Sequence, residues 1–295
     1  MSRDHSSSSF GHVRFAMAFG LVSPHAFPAL TVLLSVNAGY LDTASFLGLH
    51  GLFTAHVTGN LVTLGASVVL GKCGVVAKLV ALPVFCCVVA LVRLAALWLA
   101  EHEWRQLRVL LSIECLLLFV VFTLAVTLGP FPNADAWPAV LTGAMAVAAM
   151  AVQNAAHRLH LNGAPPSTLM TGNLTQVMID GVNLLCEPEA RADVRARMLR
   201  ILTMIASFAS GCGLAVLLFL VIGTWCFAAP ALFGLLAVIV HTGIEERGQY
   251  CGCLHDGGTV QSLIPSRFPY QNARANSTIF TRVLRDESSS VTLAE

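Results

Sequence analysis

The chain has 295 residues, of which 56% are hydrophobic and 11% charged, with a formal net charge of +1 and a mean hydropathy of +0.74. A soluble globular domain carries about 25% charged residues, so this composition excludes a soluble globule and points to the bilayer as the chain's first partner. The near-neutral charge and the absence of a basic block exclude nucleic acid.

In chain order, residues 1–27 are expected to form a cytoplasmic leader. The apolar stretch 15–22 is short and runs into Pro24 and Pro28 without a small-residue cleavage site, so it is not a signal peptide. An α-helix needs roughly 20 mostly apolar residues to cross about 30 Å of hydrocarbon. Eight segments are candidates, near 28–48, 53–70, 79–100, 109–128, 138–157, 168–185, 199–221 and 223–241. None alternates like a barrel strand, so the expected fold is an all-α polytopic membrane protein. Gly129, Pro130 and Pro132 interrupt the pattern and divide a membrane domain, 28–241, into parts of about 28–128 and 138–241. From 242 to 295 the chain turns polar, and this tail is expected to be disordered.

Thr58-Gly59-Asn60 recurs as Thr171-Gly172-Asn173. In each case an apolar run with a polar residue near its end, Asp42 or Gln153-Asn154, precedes the tripeptide at nearly the same distance. This reads as a duplication, and Gly-interrupted hydrophobic segments at matching positions of two halves point to a transporter's substrate site. Glycine permits a helix break or a close contact, while Thr and Asn bring polar atoms that lipid cannot satisfy. A packing notch would use the same residues. One turn of helix brings residues three or four apart onto one face. Thr58 and Asn60 therefore share a direction only if the backbone is interrupted, and a break is expected at Gly59, at Gly172 or at both.

Ionisable residues inside the spans are costly, about 2.5–3.5 kcal/mol each on insertion scales. Arg93 and Glu114 are expected to meet as a structural ion pair between adjacent helices. Asp42 and Asp180 have no evident cationic partner. The expected substrate or ion pathway therefore comprises Asp42, Thr58, Gly59, Asn60, Gln153, Asn154, Thr171, Gly172, Asn173 and Asp180, serving an unidentified small molecule or ion. His56 is the best candidate for an intramembrane catalyst, but its repeat counterpart is Leu169 and no nucleophile–base set accompanies it. No catalytic group, metal site or cofactor is expected. Nine cysteines cannot all pair, and Cys251-Gly252-Cys253 with His255 lacks a second pair of ligands. A scaffold or assembly protein is the alternative to a transporter, and a homo-oligomer stays open.

Lys and Arg set the orientation. Eight crossings leave Arg105, Arg108 and Arg158 outside and both termini in the cytoplasm; if the two Thr-Gly-Asn segments re-enter, six helices cross and Lys72 and Lys78 fall outside. The expectation favours eight, because each of those segments has about the length to cross.

Asn37-Ala38-Gly39-Tyr40-Leu41-Asp42, the stretch 53–60, Gln153-Asn154 and Met170-Thr171-Gly172-Asn173 together resemble the YoaK family of bacterial membrane proteins over about residues 30–240. The resemblance implies a compact helical integral membrane protein, of a kind often predicted to be a transporter, with no assigned substrate.

Overall fold

A computed structural model describes residues 26–98, 103–186 and 191–255. The expected leader, save its last residues, and the tail beyond His255 lie outside them. Of two compact units, Met1–Gly252 and Cys253–Glu295, the first carries the fold; the second contributes only Cys253–His255 to the described residues.

Those residues form eight α-helices and no strand: α1 Ala26–Gly48, α2 Gly59–Leu70, α3 Val75–Trp98, α4 Glu103–Leu128, α5 Trp137–His160, α6 Met170–Cys186, α7 Arg191–Ile222 and α8 Ala228–His255. A 3-10 turn, Gly223–Phe227, separates α7 from α8. Five apolar runs are long enough to cross a bilayer, Ala29–Gly48, Val75–Trp98, Gln106–Leu128, Trp137–His160 and the 52-residue Ala192–Gly243, which spans α7, the turn and most of α8. The last helix passes the tail boundary expected at 241 and continues to His255.

Helices α1 and α5 are central. Their apolar windows are 67% and 72% buried, against 22% for α3. Every residue from Ala146 to Gln153 is buried, and six alanines and valines among the first seven let neighbours close round α5 on all sides, as an enclosed helix requires. The opposite pattern marks the periphery, where Val69, Trp98 and Leu185 are among the many large apolar side chains left exposed, a surface suited to lipid tails.

The tightest crossing joins α1 to α7. Gly39 lies against the backbone carbonyl of Phe208, and Gly211 against that of Val36, so closely that a Cβ on either glycine would collide with backbone. Ser35 Oγ donates to Met204 O at 2.9 Å and Cys212 Sγ to Gly39 O at 3.4 Å. Small residues on both helices bring their backbones together, and hydroxyl and thiol groups add polar bonds across the gap.

Two segments differ from expectation. The stretch 53–70 is not one continuous helix: 49–58 is irregular and α2 has 12 residues, about 18 Å at 1.5 Å per residue, shorter than the hydrocarbon thickness. The second stretch is likewise irregular over 161–169 before α6, which has 17 residues. Both ends of the first interruption lie together. His50, in the left-handed region at φ 53°, places its ring nitrogen 2.6 Å from Phe131 O. Gly74 N and Val76 N donate to Asp135 at 2.9 and 2.8 Å, and a Cβ on Gly74 would stand 3.5 Å from His50 O. The chain therefore leaves and regains the same end of the bundle between His50 and Gly74. Gly71, at φ 60°, ends α2 and sends its N–H back to Ser67 O and Val68 O, the left-handed cap that glycine adopts without Cβ strain.

Candidate functional site at two interrupted segments

At the first interruption the organising group is Asp42. It is buried, six residues before the end of α1, hence about 9 Å inside the bundle. Its Oδ1 accepts from Thr54 N at 2.6 Å, Ala55 N at 2.8 Å and Thr54 Oγ1 at 3.4 Å. Its Oδ2 lies 2.7 Å from His56 Nδ1. A helix cannot form over 53–56 while these amides are turned toward a carboxylate, so the interruption follows from Asp42. His56 is in the connector, outside the five membrane-capable runs. The hydrogen bond His56 donates to Asp42 raises its pKa above the ordinary histidine value, against the lowering effect of burial.

Asn60 closes the connector. It accepts from Phe53 N at 2.9 Å and donates to Phe53 O at 2.7 Å, so its side-chain amide pairs with a backbone residue as a neighbouring strand would. Asn173 donates to Pro166 O at 2.9 Å, again seven residues back. It has no second bond to make there, because proline lacks an N–H. Alanine at position 60 should therefore cost more than alanine at 173. With about 1 kcal/mol per net hydrogen bond and a further penalty for a buried amide left unpaired, about 3 kcal/mol is expected for Asn60→Ala and about 1.5 kcal/mol for Asn173→Ala, read from chemical unfolding in detergent micelles.

At the second interruption Asn154 occupies the place of Asp42. Thr168 Oγ1 donates to Asn154 Oδ1 at 2.5 Å, and Asn154 Nδ2 donates to Met150 O at 2.9 Å. His56 and Thr168 both lie fourteen residues beyond their partners. The side chain matching His56 in this bond is thus Thr168, not the expected Leu169, which is exposed. Beside this connector is a cavity of about 470 Å³, lined by Thr31 and Val32 of α1, His160 at the end of α5, Leu161, Gly163, Ala164 and Pro165 of the connector, and Arg200, Thr203 and Met204 of α7. It lies at the opposite end of α1 from Asp42.

Thr58, Thr171 and Gly172 are exposed and contribute nothing to either polar cluster. The break expected at Gly172 falls earlier, before Met170; a Cβ at Gly172 would meet nothing within 4 Å, whereas one at Gly59 would press on the Phe53 ring at 3.1 Å.

Two charged residues, Asp180 and Glu114, take partners that the sequence did not reveal. Asp180, buried on α6, has a cation after all: Arg197 of α7 donates Nε at 2.8 Å and Nη2 at 2.5 Å, and Gln176 Nε2 donates at 2.7 Å. This fork-shaped pair ties α6 to α7. On α2 the corresponding tie is Lys78 Nζ to Ser67 Oγ, at 2.7 Å. The Arg93–Glu114 pair does not form. Arg93 is exposed, whereas Glu114 is buried and accepts from Asn37 Nδ2 at 3.1 Å. Asn37 Nδ2 also lies 3.3 Å from Gln153 Oε1, and Gln153 Nε2 donates to Leu34 O at 2.9 Å and Ser167 Oγ at 3.2 Å. A buried chain of polar side chains thus runs from α4 through α1 to α5 and the second connector. Asn37, Thr54, Ser167 and Thr168 were not among the predicted residues, although all lie in or next to the two recurring patterns.

Among the described residues no cluster of three or more His, Cys, Asp or Glu side chains is arranged to hold a metal, and the seven cysteines from Cys73 to Cys226 are free. His157 Nε2 lies 3.3 Å from Ala164 O. Cys251, Cys253 and His255 lie on the last turns of α8, where side chains are outside the described set.

Comparison with curated proteins and with solved structures gives no match. Residues 30–240, which contain both connectors and all the site residues above, match a family described as "Protein of unknown function (DUF1275)"; the chain belongs to that family.

Proposed function

We propose that this protein is an integral membrane transporter of a small molecule or ion, working through two re-entrant segments that approach the middle of the membrane from opposite sides. One observation carries the reading: each interruption is anchored to a polar residue of a central helix, Asp42 on α1 and Asn154 on α5, and the two lie toward opposite ends of the bundle. Short half-helices preceded by irregular backbone are tolerated in a membrane where they line a polar path. The matching ties, Asn60 with Asn173, His56 with Thr168 and Lys78–Ser67 with Arg197–Asp180, support a duplicated domain whose halves are inverted. Six crossings then replace the eight expected from segment length, both termini face the cytoplasm and Lys72 lies outside. The cavity beside the second connector is of a size that takes small ligands.

Topology is tested with a Lys72→Cys variant in a cysteine-free background. Labelling by an impermeant thiol reagent added outside intact cells is expected; protection until the membrane is permeabilised would restore eight crossings. Transport is tested by uptake of a small-metabolite library into proteoliposomes, with and without a pH gradient. Uptake above empty liposomes should fall at least tenfold in Asp42→Asn and in the Asn154→Ala/Asn173→Ala double variant. Undiminished uptake in both would overturn the site. The alternative, a scaffold without transport, draws on the fact that Asp42, Asn60, Asn154 and Asn173 all have partners within the chain.

A further inference from the structure

The connector 49–58 contains a pairing that its counterpart lacks. Where Thr168 meets Asn154 with two neutral groups, His56 brings an imidazole, which can change charge near neutral pH, to the Asp42 carboxylate. A carboxylate oxygen accepts, so the neutral imidazole must carry its proton on Nδ1 and give it to Oδ2. Its lone pair is then on Nε2. That nitrogen has no hydrogen-bond partner among the described residues, and the side chain is 36% exposed. An arriving proton therefore adds at Nε2, converting a neutral donor into an imidazolium against the carboxylate.

We propose that His56 is a proton-binding station and that its charge sets how firmly the connector is held to Asp42. The inference rests on the transport reading for its use, where it names the proton as the coupling ion. The bound and free states differ in a defined way: the His56–Asp42 bond is charge-assisted on both sides when Nε2 is protonated, and on one side when it is not. The same carboxylate holds Thr54 N and Ala55 N, so the whole turn is tied to a single group. The surroundings leave the pair isolated. From α7 the Phe208 ring meets His56 edge-on at 5.4 Å, and from the connector itself Phe53 stands 6.5 Å away. The other titratable group near Asp42 is the thiol of Cys212, engaged with Gly39 O; no Lys or Arg is bonded to either residue.

The sign follows from the raised pKa of His56. The added hold is complete below the ordinary histidine value of about 6.5 and is lost as pH rises through the higher value of the folded protein. The experiment uses full-length protein in nanodiscs. Thr58→Cys reports the first connector and Asn162→Cys the second, each in a cysteine-free background, with one maleimide reagent over pH 5.5 to 8.5. Dividing the two rates removes the pH dependence of the thiol itself. The ratio should rise severalfold as pH increases and should be flat in His56→Gln. In parallel, the His56 ring signal by NMR should titrate at lower pH in Asp42→Asn than in the wild type, as loss of an adjacent opposite charge requires. A flat ratio in the wild type, or an unmoved midpoint in Asp42→Asn, overturns the proposal. Neither readout needs a substrate, so these results stand apart from the uptake screen: a pH-dependent connector in a protein that transports nothing would defeat the transport reading alone.

Discussion

Alanine at Gly39 or at Gly211 is expected to destabilise the protein by about 3 kcal/mol, at the upper end of the usual cost of overpacking. The reason is that the added methyl would meet a backbone carbonyl, of Phe208 or Val36, and backbone cannot rotate aside as a side chain can. The helices must instead move apart, which also stretches Ser35 Oγ–Met204 O and Cys212 Sγ–Gly39 O. The two substitutions widen the same crossing, so their effects should fall well short of additive. Gly213 is the control. It lies on the same helix, yet a Cβ there meets nothing within 4 Å, and Gly213→Ala should leave stability unchanged or raise it through helix propensity, by up to about 1 kcal/mol. Unfolding followed by circular dichroism in detergent separates the three variants. A Gly213→Ala loss equal to that of Gly39→Ala would show that glycine matters along α7 for some reason other than the crossing.

Asp42→Ala should cost about 4 kcal/mol, the second large effect. It strips the acceptor from Thr54 N and Ala55 N, both inside the bundle, and from His56, and unpaired buried donors each cost about 1–3 kcal/mol. Asp42→Asn is expected to lose less than half as much, since its side-chain oxygen can still accept the two amides while its NH₂ meets His56 without the charge. The comparison is informative because the two variants remove different things: alanine the tie itself, asparagine only the electrostatic part. Equal losses would mean that the carboxylate's charge, and not its acceptor geometry, builds the connector. Limited proteolysis at the connector gives an independent reading, with faster cleavage expected in Asp42→Ala.

The sequence by itself determined that the chain is helical and membrane-embedded, because apolar run length and the scarcity of charge do not depend on how helices pack. It also pointed to the two segments where the helices are interrupted. Thr-Gly-Asn within an apolar stretch is legible because asparagine there must find a partner, and at both sites that partner is a carbonyl seven residues back, within local reach. Tertiary structure alone decided where each break falls and who pairs with whom. The helix starts at Gly59 in one segment and at Met170 in the other; Asp42 takes the backbone amides of Thr54 and Ala55 from a different helix, and Asn154 takes the Thr168 hydroxyl. Glu114 bonds Asn37 rather than Arg93, and Asp180 bonds Arg197. Those choices depend on the rotation of each helix about its axis and on which helices are neighbours, and hydropathy, which measures depth in the membrane, carries no information about either.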